Sequence, residues 1–356
     1  MTPNRRHFIA AAAAAASATG LVASPAVQAV PVAPAAPRLP ALRPRRLQPG
    51  DTIALVNPSN AVFERLPYVL ATEALQALGF KVREAPNLHA RYGPFAGTDA
   101  QRAADVNAMF ADPGVQGILA LTGGSGANRI LPLLDYGLIA RNPKFLGGFS
   151  DVTALINAVN AQTGLVTFHC PLGVSEWNAF SVAWLRGAVI DAKAQTLANE
   201  AESEDALVPR NNRTQTLRGG RARGPLVGGN LAVFSSLAGS RYWPACDGAI
   251  LFLEETNEAI YRCDRMLSTL KLAGALDRVA GVVLGAFTNC TPGEGNYGTL
   301  TLDEVFDDYF VKPLKVPVYS GALFGHIKRK FTLPVGLDVE LDADAGTIRY
   351  LQPAVV

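Results

Sequence analysis

Cysteine and histidine are scarce in this chain, which leaves little material for a metal site or a redox centre. Of 356 residues, four are cysteine and four are histidine. Cys170, Cys246, Cys263 and Cys290 lie far apart and form no Cys-x-x-Cys pair, which argues against zinc or redox-motif chemistry. We therefore predict no metal and no cofactor. A disulfide between two of these thiols is compatible with an exported protein.

The sequence also lacks a basic run. Lysine and arginine together number 32 against 30 acidic residues, a formal net charge of +2. Without a basic patch the chain is a poor candidate for binding nucleic acid. Hydrophobic residues make up 49 % of the sequence, a content typical of a globular protein with a sizeable core.

Residues 1–29 have the composition of an export signal. Arg5 and Arg6 precede an alanine-rich apolar stretch, and small residues then lead to an expected cleavage site near Ala29. The arginine pair favours the twin-arginine route, so we expect a periplasmic protein. The apolar stretch is too short to favour a transmembrane helix, and no stable membrane anchor is expected after cleavage. Residues 30–46, rich in proline and alanine, are predicted to form an extended tether.

Short apolar strands alternate with helical patterns over residues 47–196. This alternation predicts an N-terminal domain with a parallel sheet and helices on both faces, a three-layer α/β/α arrangement. The polar segment 197–218 is interpreted as a linker, and residues 219–356 as a smaller, β-rich mixed domain. Ligands of parallel sheets bind beyond the carboxyl ends of the strands, where loops 122–128 and 148–151 are expected.

Two serines lie at glycine-rich corners between a strand and a helix. Ser125 and Ser150 both miss the Gly-x-Ser-x-Gly pattern of a nucleophile elbow, because Ala127 and Val152 stand where the second glycine belongs. Serine at such a corner is more often a helix cap than a nucleophile. The backbone amides of the turn at 123–128 could hold an anion, including the oxyanion of an acyl-transfer reaction. The motifs alone identify neither serine as catalytic.

A serine nucleophile needs a base, and the base needs an orienting acid. His89 is predicted to lie on a surface loop, whereas His169 either lines the site or closes a turn. His326 follows Phe-Gly just beyond an apolar strand, where the glycine lets the backbone turn and expose the imidazole. Glu254 and Glu255 close another buried strand. Because side chains alternate along a strand, one of the two glutamates should face the site, and periodicity does not say which.

Five separated segments carry a more specific signal than any of these motifs. In chain order they are LALTGGSGANRILPLLDY, FLGGFSDVTAL, GGNLAVFSSLAG, LFLEETNEAIYRCDRML and LFGHIKRKFTLPVG. Together they resemble the LD-carboxypeptidases (muramoyltetrapeptide carboxypeptidases), a serine peptidase family that also includes the microcin C self-immunity peptidases. The resemblance extends from about residue 47 to residue 353.

The resemblance implies a role for particular residues. Ser150 would be the nucleophile, His326 the base and Glu254 the acid, while the backbone amides of Gly124 and Asp151 would hold the oxyanion. The nucleophile would then lie on the N-terminal domain and the other two on the C-terminal domain, with the active site in the cleft between them. The remaining candidates for the substrate site are Ser125, Asn128, His169 and Asn230.

The resemblance also implies a reaction, the release of terminal D-alanine from the L-centre of a murein tetrapeptide. Ser125 and Thr122 depart from the aromatic residue and the arginine that the family commonly has at these positions. One alternative is an amidase of the microcin-immunity kind that cleaves a peptide or an acyl–nucleotide conjugate. Another is a periplasmic binding protein without catalysis. Members of the family are often dimeric, so a homodimer is the expected partner besides the murein-derived peptide.

Overall fold

The computed structural model describes residues 38–200, 207–208, 210–293 and 298–356. The predicted signal peptide (1–29) and the first part of the predicted tether (30–37) lie outside these ranges. Strands, in chain order, are β1 (Thr52–Val56), β2 (Lys81–Glu84), β3 (Gly117–Ala120), β4 (Phe145–Gly148), β5 (Thr167–His169), β6 (Thr196–Ala198), β7 (Gln215–Arg218), β8 (Arg221–Asn230), β9 (Ile250–Thr256), β10 (Gly281–Thr288), β11 (Val318–Ser320), β12 (Leu333–Val335), β13 (Asp338–Asp342) and β14 (Thr347–Tyr350). The α-helices are α1 (Leu66–Ala77), α2 (Asp99–Ala111), α3 (Ala127–Ile130), α4 (Tyr136–Arg141), α5 (Thr153–Thr163), α6 (Ala179–Val189), α7 (Leu231–Ser236), α8 (Ile260–Leu272) and α9 (Leu302–Phe306).

The first sheet has six strands in the order β12-β5-β4-β3-β1-β2. Strands β1 to β5 are parallel, as the alternation of strands and helices predicts, and β12 joins the edge antiparallel to β5. Every residue of β3 and β4 is buried, which is the pattern of strands covered on both faces. The carboxyl ends of β1, β3 and β4 therefore meet at one edge of this sheet.

The second sheet has eight strands in the order β6-β14-β13-β8-β9-β10-β11-β7. Its central strands β8 to β11 are parallel, and the outer strands on both sides are antiparallel. The mixed α/β fold with a largely parallel N-terminal sheet and a mixed second sheet confirms the predicted fold class. The sequence of residues 338–356 predicts a hairpin around Ala345 and Gly346, and β13 and β14 form it.

Helix α5 packs between the two sheets and is hydrogen-bonded to the second one. The amide nitrogen of the buried Asn157 donates to the carbonyl oxygen of Gly228 at 2.8 Å, and the Gly228 N–H donates back to its amide oxygen at 3.3 Å. One turn earlier, the Thr153 hydroxyl accepts from the backbone N–H of Asn230 at 3.0 Å. Because α5 begins just after residue 150, these bonds fix the start of that helix against the second sheet.

Three segments differ from their sequence-based interpretation. The helical pattern of residues 128–140 predicts a single helix, but the structure divides this segment into α3, a 3-10 turn at Leu131–Leu133 and α4. Pro132 interrupts the first helix, and the Asp135 side chain starts the next one by accepting from the Leu138 N–H at 2.8 Å.

The predicted linker at 197–218 carries strands at both ends. Strands β6 and β7 form the two outermost strands of the second sheet, whereas residues 201–206 and 209 lie outside the described ranges. Both edge strands are short, and Leu197 is their one buried residue, so their mostly polar sequence gives no strand signal.

Residues 38–46 of the predicted tether are packed against the body of the protein. Leu42 pairs with Leu165 in a parallel bridge, donating to the Gly164 carbonyl at 2.8 Å and accepting from the Val166 N–H at 2.9 Å. The Arg38 guanidinium donates to Asp338 at 2.8 Å. The tether interpretation fails over this range because Ala41 and Leu42 pack against the core. No helix within the described ranges is long and apolar enough to cross a membrane.

Candidate active site

Ser150 lies on a sharp corner between β4 and α5. Its backbone φ is 62°, in the left-handed region that residues with a side chain rarely adopt. Holding a serine there costs on the order of 1–2 kcal/mol, and such strain is concentrated at functional sites. The N-cap position of the following 3-10 turn is Phe149 and that of α5 is Val152, so Ser150 occupies neither. The side chains of Phe149 and Val152 make no capping hydrogen bond. Ser150 is therefore not a helix cap, although the sequence favours that role.

The hydroxyl of Ser150 starts a chain of two hydrogen bonds. Its Oγ lies 3.0 Å from Nε2 of His326, and Nδ1 of the same ring lies 2.7 Å from Oε2 of Glu254. A carboxylate only accepts, so the ring hydrogen on Nδ1 points to Glu254 and leaves Nε2 able to accept from the serine. The Glu254 side chain is fully buried, while that of His326 is 23 % exposed. A hydroxyl, an imidazole and a buried carboxylate joined in this order have the geometry of a catalytic triad.

A glycine allows the base and the acid to approach each other. Gly325 has a φ of +110°, and a Cβ atom at this position would lie 2.8 Å from Oε2 of Glu254. His326 lies on the segment that connects β11 of the second sheet to β12 of the first sheet. The imidazole is thus held between the two sheets, with Glu254 coming from the carboxyl end of β9.

Glu255 points away from this triad. Its Oε1 accepts from the Asn230 side chain at 2.9 Å and from the Thr256 N–H at 2.8 Å, and its Oε2 accepts from the Ala232 N–H at 2.8 Å. Burial raises the pKa of this carboxyl. The alternation of side chains along β9 thus sends Glu254 to His326 and Glu255 to the first turn of α7.

The glycine-rich turn after β3 lies directly against Ser150. A Cβ atom at Gly123 would lie 2.9 Å from Cβ and 3.0 Å from Oγ of Ser150, and 3.6 Å from the backbone nitrogen of Asp151. The buried Asp151 carboxylate ties this turn to the serine corner, since it accepts from the Ala127 N–H at 2.8 Å and from the Ser59 hydroxyl at 2.7 Å. Burial raises the pKa of Asp151. Gly123 and the Asp151 amide therefore lie together beside the serine, whereas a Cβ atom at the neighbouring Gly124 would meet the Asn60 side chain.

Profiles of known protein families match both halves of the chain. The LD-carboxypeptidase N-terminal domain matches residues 53–170, and the LD-carboxypeptidase C-terminal domain matches residues 223–341. The chain belongs to the LD-carboxypeptidase family. It is accordingly a serine-type carboxypeptidase, a hydrolase of peptide bonds, as its sequence predicts.

Characterised relatives and solved structures agree with this assignment. The murein tetrapeptide carboxypeptidase of Pseudomonas aeruginosa is 31 % identical over 309 residues, which cover 82 % of this chain and 93 % of that one. The structure of the microcin C7 self-immunity protein MccF with glutamyl sulfamoyl guanosine superposes with a TM-score of 0.78 at 26 % identity, over 88 % of this chain and all of that one. The muramoyltetrapeptide carboxypeptidase of Oxalobacter formigenes gives 0.71 at 28 % identity, over 84 % and 97 % of the two chains.

The four further candidates for the substrate site of this LD-carboxypeptidase lie in different surroundings. Ser125 is exposed, and its N–H and hydroxyl donate to the Asn60 side chain at 3.0 and 3.3 Å. Asn128 is half-buried and donates to the Ser236 hydroxyl on α7 at 2.7 Å. Asn230 is buried and caps α7. Of these three, Ser125 is the residue whose exposure suits contact with a substrate.

His169 lies beneath the site rather than in its lining. It is fully buried, both of its ring nitrogens lack a partner among the described residues, and its ring packs against Phe149, Phe252 and Phe324. Burial lowers the pKa of this imidazole to about 3. The aromatic surroundings therefore hold His169 neutral and out of reach of a substrate. His89, predicted on a surface loop, is exposed and contacts Glu84 at 2.9 Å.

A buried cation next to the triad is not evident from the sequence. The ammonium of Lys330 lies 4.1 Å from the centroid of the Phe149 ring, and the same ring lies 5.0 Å from that of His326. Burial lowers the pKa of Lys330 to about 8, and the Glu254 carboxylate opposes part of this shift. Nothing in the local pattern Lys328-Arg329-Lys330 marks its third residue as buried. Among the described residues, no group of three or more His, Cys, Asp or Glu side chains is placed to hold a metal ion.

Proposed function

We propose that this LD-carboxypeptidase releases terminal D-alanine from murein tetrapeptides, with Ser150 as nucleophile, His326 as base and Glu254 as orienting acid. The observation that carries the proposal is the continuous hydrogen-bonded row from the strained Ser150 through His326 to the buried Glu254. All three groups lie at the carboxyl ends of parallel strands or beside them, where α/β folds bind ligands.

The geometry supports acyl transfer in two half-reactions. Nε2 of His326 takes the hydroxyl proton as Oγ of Ser150 bonds to the scissile carbonyl carbon, and Glu254 stabilises the imidazolium that forms. The backbone amides of Gly124 and Asp151 donate to the developing oxyanion. The imidazolium then protonates the amine of the departing D-alanine. In the second half-reaction, Nε2 takes a proton from a water molecule as the water oxygen attacks the acyl ester. The imidazolium then protonates Oγ of Ser150 as the ester bond breaks.

A cationic groove beside His326 favours an anionic peptide as the substrate. Its volume is about 530 Å³, and it is bordered by Leu323 and Ile327, which lie on either side of His326 in the chain. The positively charged side chains that line it are Arg210, Arg213, Lys328 and Arg329. Murein peptides carry several carboxylates, so charge complementarity would orient them along this groove.

Mass spectrometry with a murein tetrapeptide ending in D-alanine tests the proposal directly. We expect the wild type to remove one alanine and the Ser150→Ala variant to be slower by about 10³-fold or more, the scale of losing a triad nucleophile. The matched control is Ser240→Ala, which removes an exposed serine hydroxyl that has no part in the candidate site and should stay near the wild-type rate. A Ser150→Ala variant with a near-normal rate would overturn the assignment of the nucleophile.

The likeness to MccF supports a second candidate, an amidase that cleaves an acyl–nucleotide conjugate. The superposition on MccF with glutamyl sulfamoyl guanosine, at a TM-score of 0.78, is the observation that favours it. Comparing kcat/KM for an aminoacyl–nucleotide conjugate and for the murein tetrapeptide decides between the two. Higher kcat/KM for the conjugate, lost in Ser150→Ala, would keep the triad and replace the substrate.

We further propose export by the twin-arginine route, on the strength of Arg5 and Arg6 before the alanine-rich stretch. Cell fractionation of a bacterium that expresses the full chain tests it. The wild type should reach the periplasm in a shortened form, and a variant with Arg5→Lys and Arg6→Lys should stay in the cytoplasm at full length. Equal distribution of the two proteins would contradict this route.

A further inference from the structure

We propose that Cys263 and Cys290 form a reversible disulfide that ties α8 to the segment leaving β10, closed by a small-molecule disulfide such as oxidised glutathione. The pair lies outside the triad, and the hydrolytic mechanism does not use it. Both thiols are free in the structure.

The backbone brings these two cysteines together. Thr291 pairs with Ala259 in a parallel bridge, its carbonyl accepting from the Ile260 N–H at 2.9 Å and its N–H donating to the Glu258 carbonyl at 3.2 Å. Cys290 precedes Thr291 in the chain. Cys263 lies one helical turn after Ala259, and its backbone N–H donates to the Ala259 carbonyl oxygen at 3.2 Å. The two side chains therefore project from neighbouring, hydrogen-bonded backbones.

Packing and accessibility give the two thiols different parts in the reaction. Cys263 is fully buried in the apolar cluster under the second sheet, whereas Cys290 is partly exposed and packs against the same cluster. The interaction of the two thiols lowers the pKa of Cys290 and raises that of Cys263, while Sγ of Cys290 lies 3.8 Å from the Thr288 carbonyl oxygen. The exposed thiol is thus the one that ionises more readily, and thiolates rather than thiols attack disulfides.

The exchange is balanced in two steps. The Cys290 thiolate attacks one sulfur of oxidised glutathione, forming a mixed disulfide and releasing one molecule of glutathione. Cys263 then loses its proton and attacks Sγ of Cys290, which releases the second molecule. Two protein thiols are oxidised to one disulfide, and one glutathione disulfide is reduced to two thiols.

Peptide mapping of the purified full chain, after incubation with oxidised glutathione and alkylation under denaturing conditions, tests the pairing. We expect a disulfide-linked peptide pair that contains Cys263 and Cys290 and disappears after treatment with dithiothreitol. Cys170 and Cys246 should remain free thiols during the incubation and so be recovered in alkylated form. These last two are internal controls, because burial raises the pKa of each to about 12. In Cys263→Ser, Cys290 should instead retain one glutathione. Wild-type protein that holds glutathione on Cys290 and a fully alkylated Cys263 would overturn the proposal.

Thermal unfolding provides a second readout. A cross-link across this length of chain should raise the Tm of the oxidised wild type by about 5 °C over the reduced form, and leave Cys290→Ser unchanged by the same treatment. Turnover should stay the same, since the bridge does not touch the triad. An equal or lower Tm after oxidation would show that the bond strains the fold and would count against a built disulfide site.

Discussion

At the scale of single residues, two adjacent glutamates on β9 have separate tasks. Glu254 orients His326, whereas Glu255 accepts three hydrogen bonds around the start of α7. We expect Glu254→Gln to lower kcat by about 10⁴-fold, because an amide nitrogen facing Nδ1 favours the wrong imidazole tautomer. Glu255→Gln should keep kcat within a few-fold and lose about 1–2 kcal/mol of stability, because one acceptor is replaced by a donor.

Kinetics on the murein tetrapeptide and urea unfolding of both variants separate these effects. Each variant is the matched control of the other, since the two side chains are chemically identical and adjacent. A large loss of kcat in Glu255→Gln with normal kcat in Glu254→Gln would mean that the acid had been assigned to the wrong residue.

His169 should make the fold sensitive to acid. Its folded-state pKa of about 3 lies below the ordinary value of 6.5, so the unfolded chain binds more protons between these values. Stability is therefore full above about pH 6.5 and falls as the pH drops, by about 2 kcal/mol between pH 7 and pH 5. Replacing His169 with phenylalanine, which suits its three aromatic neighbours, should flatten this part of the profile.

The measurement is the free energy of unfolding in urea at pH 7 and pH 5, for the wild type and His169→Phe. His89→Phe is the control, because the exposed His89 ring contributes no buried imidazole. If His169→Phe kept the full acid dependence, another buried group would be responsible for it.

At the scale of structural elements, the turn after β3 sets the shape of the space beside Ser150. Gly123→Ala would place a methyl group 2.9 Å from Cβ of Ser150, so the turn or the serine corner must shift. We expect kcat to fall by about 10²-fold, since small displacements of oxyanion donors are costly. Gly298→Ala is the control, because its new methyl group would meet no atom of the described residues within 4 Å.

Comparing kcat and Tm for these two alanine variants tests the role of the turn. In Gly123→Ala, kcat should fall by much more than the change in Tm would explain. In Gly298→Ala, both kcat and Tm should stay at the wild-type values. A normal kcat in Gly123→Ala would mean that the turn yields without disturbing the catalytic groups.

Elements with a strong local pattern could be predicted from the sequence, and those built by distant partners could not. The capping box at Thr98 and Gln101 marks the start of α2, and the apolar runs of β1, β3 and β4 are strands. The break between α3 and α4 depends on Pro132 within an otherwise helical pattern. The edge strands β6 and β7 depend on partners far along the chain, so their local sequence looks like a linker.

The candidate site shows the same division. Periodicity leaves the choice between Glu254 and Glu255 open, and the resemblance to the family selects Glu254. Ser59 and Asn60 were missed because their bonds, to Asp151 and Ser125, cross more than 60 residues of chain. Their one local signal is that both are polar and follow a buried strand at the carboxyl edge of the sheet. Lys330 carries no such signal at all.

At the scale of the whole molecule, catalysis depends on the docking of the two sheets. The side-chain amide of Asn157 bonds to the backbone of Gly228 in β8 through both its nitrogen and its oxygen. Asn157→Leu would leave a buried N–H and C=O unpaired, and we expect a loss of about 2–4 kcal/mol in the free energy of unfolding. The urea midpoints of activity and of tryptophan fluorescence should coincide in the wild type and fall together in this variant.

Asn142→Ala is the control, because the Asn142 side chain donates to Leu138 of the preceding helix α4 and not to the second sheet. It should cost less stability than Asn157→Leu. Activity that disappeared at a urea concentration well below the fluorescence transition would show that the sheets separate before either unfolds.

The position of His326 between the sheets has a consequence for biosynthesis. Ser150 and His326, the proposed nucleophile and base, are separated by 176 positions in the chain, so a ribosome-bound chain completes its serine corner long before the imidazole is translated. Until the segment between β11 and β12 is made and folded, Ser150 has no partner to take its proton. The peptidase is therefore latent throughout most of its own synthesis, without an inhibitory propeptide being required for that latency.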